Sequence, residues 1–229
     1  MGRPLVIACS LLEDEVTAIM DEHGLWDDYD VSWIPNVHDT PKEMISILQP
    51  IVDEVAGRPY VMLTYGNCGN GLVGLTARDA PLVMPRYADC ISILLSDRDD
   101  LDELRKNTYF LTRAWLESER SIDREYDKLV EDSGQEDADD IMEMLYGHYE
   151  NLMLIDTGCY DVDAQMEHLD STARKANMKP CTAKGTISVL ERLLMGDWGD
   201  DFIRVEPGES VEMKEYFSCC DAERLGPRM

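Results

Sequence analysis

Three cysteines and a histidine stand where the chain passes from one element to the next: Cys9, His38, Cys68 and Cys90. Cys9 closes the apolar run PLVIA, and Cys68 follows VML inside the loop YGNCGNG. His38 and Cys90 each open an expected helix. Thiolate and imidazole are the ligands of zinc sites and can form part of an iron or iron–sulfur set. The expected cofactor is therefore a metal ion, zinc before iron or a cluster. Cys90 has a second reason to be reactive, because a helix amino terminus favours thiolate. The plainer alternative is that buried cysteine is a common small hydrophobe and His38 a helix-entry residue.

Other residues around these thiols could bind a ligand. Gly66, Gly69 and Gly71 give the loop after VML the freedom to turn or to approach a bound group closely. The loop has neither GxGxxG spacing nor a Walker lysine, so a nucleotide is a weak reading. Arg86 could fix an anionic group of a small-molecule ligand and Asp89 could orient it, or the two could simply pair with each other. Cys219-Cys220 lies in a polar tail with no neighbouring histidine, and Cys181 follows a proline with no specific signal.

Strands with their carboxyl ends on one sheet edge would bring such residues together. Pro4–Cys9, Asp30–Asn36, residues 60–65 and Pro81–Met84 read as strands, with amphipathic helices between them. Gly24 should stop the first helix; Thr40 and Pro41 should start the second, with Pro50 kinking or splitting it. A second block begins with Thr108–Thr112 and continues through Leu152–Asp156 and a helix over 161–176. A turn and helix follow within 179–198, and the strand Phe202–Val205 comes last. Between them, residues 114–150 hold 13 acidic and 3 basic residues, read as a solvated excursion of two helices broken near Ser133-Gly134. The alternation predicts an α/β fold with mostly parallel sheets flanked by helices. VMLTYGNC aligns without gaps on LMLIDTGC, placing Cys68 opposite Cys159, so two similar lobes from an internal duplication are expected. The boundaries read as 1–106 and 107–229, with a mobile tail from about 210.

The net charge is −26, from 47 acidic and 21 basic residues. Such a surface repels phosphate backbones and anionic bilayers, which excludes nucleic acid and membrane as expected partners. No run approaches the roughly 20 apolar residues of a membrane span. Acidic residues follow the amino terminus too early for a signal peptide, so a cytoplasmic protein is expected, with thiols rather than disulfides.

The segments CSLLEDE, HDTP, YGNCGNGLVGL, LVMPRYADCI and YFLTRAWLE, with IDTG and LLMGDW further on, resemble the domain of unknown function family 1638 of anaerobic microbes. The likeness runs from about residue 5 to 205. It implies a ligand set matching Cys9, His38, Cys68 and Cys90. Ala88 stands where the family commonly has histidine, so one ligand would be lost or replaced, with Cys159 a substitute. The resemblance further implies a place beside corrinoid-dependent methyltransferase systems. The expected function is thus a metal-dependent enzyme, with methyl transfer to a thiol as one chemistry. The alternative is a non-catalytic carrier of metal, cluster or corrinoid for a methyltransferase partner.

Overall fold

A computed structural model describes residues 2–35 and 41–216. His38, Thr40 and the Cys219-Cys220 pair lie outside the described residues. The chain divides into two compact units: one takes the residues up to Ile93 and those from Ile187 onward, the other is Leu94–Thr186.

The first unit holds β1 (Leu5–Cys9), α1 (Glu13–His23), β2 (Asp30–Ile34), α2 (Pro41–Asp53), β3 (Val61–Leu63), β4 (Leu82–Pro85) and most of α3 (Cys90–Leu94). Its sheet runs β2-β1-β3-β4 in parallel. Each of Val6, Ile7, Val61, Met62, Leu82 and Val83 is fully buried. A strand covered on both faces has no polar side to alternate with, which is why these segments read as continuous apolar runs. Gly24 ends α1 in the left-handed conformation, at φ 65°. Helix α2 starts at Pro41 as expected and is not split at Pro50, running to Asp53. Pro50 stands in its last turn.

The second unit holds α4 (Leu101–Leu104), β5 (Thr108–Leu111), α5 (Arg113–Leu116), α6 (Ile122–Ser133), α7 (Gln135–Tyr146), β6 (Asn151–Asp156), α8 (Met166–Lys175) and β7 (Lys179–Lys184). Its parallel sheet runs β5-β6-β7. The acidic excursion is two helices broken at Gly134, whose φ of 86° no ordinary helical residue adopts. Strand β7 replaces the turn expected there. It is an edge strand of mostly exposed residues, KPCTAK, so it carries no hydrophobic pattern, and its proline is tolerated at an edge.

Helix α9 (Ser188–Met195) and β8 (Phe202–Val205) complete the first unit. The boundary expected at 106/107, with everything beyond it in one lobe, is therefore replaced by a chain that returns. β8 pairs antiparallel with β4, through Leu82↔Val205 and Pro85↔Phe202. Residues 210–216, read as the start of a mobile tail, are instead held in place. Ser210 bridges Thr76, and Val211 is buried and exchanges backbone hydrogen bonds with Gly74 and Leu75.

A buried carboxylate ties α6 to α8 within the second unit. Asp123 is 8% exposed and accepts from Ser121 Oγ at 2.5 Å, while His168 Nε2 lies 3.1 Å from its other oxygen. Burial pushes its pKa up, but the Ser121 hydroxyl and then His168 outweigh this, leaving it below the usual carboxylate range. A depressed folded pKa gives stability that is present above the unfolded value of about 4 and lost as pH falls through the folded one. Asp123→Asn should therefore cost about 1–3 kcal/mol at neutral pH, the worth of a charged hydrogen bond. Urea unfolding should show that difference shrinking once the pH is taken below about 4; a difference independent of pH would contradict this role for the charge.

Candidate functional site

Because β1, β3 and β4 are adjacent and parallel, the chain leaves all three at the same sheet edge. Cys9 is the last residue of β1, Cys68 lies in the loop after β3, and Cys90 begins α3 after β4. The three thiols line one cavity with Leu11, Leu12, Thr64, Tyr65 and Gly66. The space between them is about 10 Å³, close to what admits one water molecule. It suits an ion or a single atom, not a whole substrate.

Backbone contacts make this convergence. Asn67 N–H donates to Tyr87 O at 2.9 Å, and Cys68 N–H to Ala88 O at 2.8 Å, lacing the β3 loop to the β4 loop. Gly66 allows it: a Cβ there would stand 2.6–2.7 Å from Cα, C and N of Asp89. Gly71 is less constrained, since its Cβ would meet the flexible Met44 Sδ at 2.6 Å, and Gly69 turns the loop at φ 68°. The glycines expected to serve a cofactor thus all have a structural task. On the other side of the cavity, Thr64 Oγ1 accepts from Cys9 N–H at 3.0 Å.

Cys68 itself has φ 43°, followed by Gly69 at 68° and Asn70 at 70°. Glycine and asparagine tolerate the left-handed region; cysteine adopts it at a cost of about 1–2 kcal/mol. A cysteine held in such a backbone is the pattern of a side chain kept for its chemistry.

Electrostatically the pocket is adverse to thiolate in the absence of a cation. Burial pushes the Cys9 thiol up to about 12, with neighbouring Cys90 adding to it. Burial, followed by the charges of Cys9 and Asp89, does the same to Cys68, also to about 12. Cys90 is raised well above its ordinary value, by burial first and then by Cys68 and Asp89. At Cys90 the local N–H groups favour the anion expected at a helix amino terminus, while desolvation in the apolar pocket opposes it.

The other expected residues take different positions. Asp89 Oδ1 accepts from Ser92 N–H and Ser92 Oγ, both at 2.8 Å, which makes it the cap of α3. No ion pair joins it to Arg86 among the described residues. Arg86 instead donates from Nη1 to Glu215 O at 2.7 Å and from Nη2 to Phe202 O at 3.5 Å. Cys159 belongs to the other unit, where its thiol faces Thr157 O at 3.8 Å. Cys181 lies in β7.

The sequence reading passed over Thr64, Tyr65, Glu15 and Tyr216. Glu15 is buried, and its charge bears on Cys9. The Tyr65 hydroxyl lies beside Cys9, near enough to perturb it, yet has no hydrogen bond of acceptable geometry. Thr64 and Tyr65 directly follow an apolar strand and could have been found from that position. Glu15 looked like one more acid on a helix start.

The cavity presents sulfur donors, the ligand type of soft metal ions. Among the described residues, however, no three His, Cys, Asp or Glu side chains are disposed as ligands around one ion. Among those residues, too, no helix is long and apolar enough to cross a membrane.

No curated protein and no solved structure matches the chain. One family model does, described as a protein of unknown function (DUF1638), over residues 34–194. That span includes Cys68, Arg86, Asp89, Cys90 and Cys159, and begins after Cys9. As it covers more than half of the sequence, the chain belongs to the domain of unknown function family 1638.

Proposed function

We propose that the Cys9, Cys68 and Cys90 cavity is the thiolate face of a site for one metal ion, zinc before iron, that serves a reaction on a small molecule. The observation that carries this reading is the meeting of three thiols, from three separate strand ends, in a space of about 10 Å³. A bound cation would offset the desolvation that otherwise keeps these thiols protonated. The thiols would have to turn toward the ion, and a further ligand would complete the set. His38 is the candidate from sequence. When bound, such an ion supplies Lewis acidity or holds a substrate thiol as thiolate.

What the chain itself contributes is positioning. The β3 and β4 loops fix Cys68 and Cys90 against each other, Thr64 fixes Cys9, and the apolar wall of Leu11 and Leu12 excludes water. Methyl transfer and a corrinoid-carrying partner are the substrate chemistry that the family resemblance brings, and no group in the cavity selects a methyl donor. A non-catalytic carrier is the second reading, since a site with room for little more than an ion could also serve to hold one.

Elemental analysis of anaerobically purified protein tests the proposal. About one equivalent of zinc or iron is expected in the native chain, with its loss in Cys68→Ser at unchanged secondary structure. Native protein free of both metals, which also fails to bind added zinc, would refute it.

A further inference from the structure

Six buried side-chain polar atoms have no hydrogen-bond partner among the described residues. Four are in the first unit: Tyr65 Oη, Asn67 Oδ1, Arg86 Nε and Tyr216 Oη. Buried polar groups are nearly always satisfied, so several orphans in one neighbourhood mark a site for something not yet there. Tyr65 and Asn67 flank Gly66 in the thiol loop. Arg86 and Tyr216 are held next to each other, because Arg86 Nη1 bonds the carbonyl of Glu215 and so pins the turn Met213–Tyr216.

Arg86 is unusual in another respect. It is half-buried in a chain of net charge −26, yet no carboxylate among the described residues lies within 4.0 Å of it. Two acids stand near it, Asp201, whose carboxyl is held below the usual range by Arg192 first and by Arg86 last, and Glu215, and both are already engaged. Asp201 takes Arg192 Nη1 at 2.5 Å and Nη2 at 2.9 Å, and Glu215 Oε2 accepts from Glu212 N–H at 2.7 Å. A partly desolvated guanidinium with no carboxylate in direct contact is better satisfied when a ligand supplies one. Tyr216 is close to both neighbours: burial raises its pKa most, the charge of Cys68 adds to that, and Arg86 opposes it.

We infer that Arg86 Nε and the Tyr216 hydroxyl form a carboxylate-binding subsite beside Cys68, so that the small molecule handled by this protein carries a carboxylate. Two donors, one charged, suit the two oxygens of a carboxylate; a phosphate would ask for more. The subsite does not depend on a metal being present, so it stands or falls separately from the thiol site.

The test uses acetate and inorganic phosphate as probes at constant ionic strength, read by the nitrogen-15 resonance of Arg86 Nε. Acetate should move that resonance saturably, and Tyr216→Phe should weaken the binding about tenfold, the effect of losing one such hydrogen bond. Tyr216→Phe should leave thermal stability unchanged or raise it, because it deletes a hydroxyl that has no partner. Metal-free protein and protein given added zinc should bind acetate equally. The inference is overturned if acetate gives no saturable shift, if Tyr216→Phe binds equally well or is less stable, or if phosphate binds more tightly than acetate.

Discussion

Gly66→Ala is expected to destabilise the first unit by about 3 kcal/mol, near the upper end of over-packing losses. The added methyl would lie 2.6–2.7 Å from three backbone atoms of Asp89, and backbone cannot swing aside as a long side chain can. The segment it meets is fixed by Asn67 N–H to Tyr87 O, by Cys68 N–H to Ala88 O and by the Asp89 cap on α3. Relief therefore means breaking the lacing that sets Cys68 beside Cys90. Gly69→Ala is the control. Its Cβ meets nothing within 4 Å, but its φ is 68°, so it should lose only the 1–2 kcal/mol (roughly) of left-handed strain. Urea midpoints at unchanged m-value give both numbers. Equal losses at the two positions would mean that the close approach at Asp89 does not organise the site.

Cys68→Gly and Cys68→Ala should separate stability from function. Both remove the thiol, so both should abolish metal binding completely. Only glycine relaxes the φ of 43°, and after its greater unfolded-state entropy is subtracted it should be the more stable variant by about 1 kcal/mol. A site cysteine that weakens its own loop is the usual exchange of stability for activity. If Cys68→Ala proved the more stable of the two, or if either variant retained the ion, the case for Cys68 as a strained functional residue would fail.

The strands that build the site were readable because burial on both faces leaves an unbroken apolar run, as in LVIAC and LVMP. The alternation of these runs with helices implied a parallel sheet, and hence a shared edge for Cys9, Cys68 and Cys90. Gly134 announced the break between the acidic helices. Strand β7 was hidden because an exposed edge strand has no hydrophobic period. The return of α9 and β8 to the first sheet was hidden for another reason: FIRV reads as a strand but says nothing of which edge it joins. The burial that opposes a thiolate at Cys90 was hidden because sequence shows the helix that follows, not what packs around it. That no carboxylate is in direct contact with Arg86 depends on where Asp201 and Glu215 make their hydrogen bonds, which only coordinates reveal.

The central claim is that three thiols distant in sequence share one ion, and cobalt substitution tests it most directly. Titrating the metal-free, reduced protein with Co²⁺ should produce sulfur-to-metal charge-transfer absorption that saturates at one equivalent (about 1:1). That absorption should fall in each of Cys9→Ser, Cys68→Ser and Cys90→Ser, and stay unchanged in Cys181→Ser. Absence of the band from the native protein, or a band indifferent to Cys9→Ser, would contradict the account.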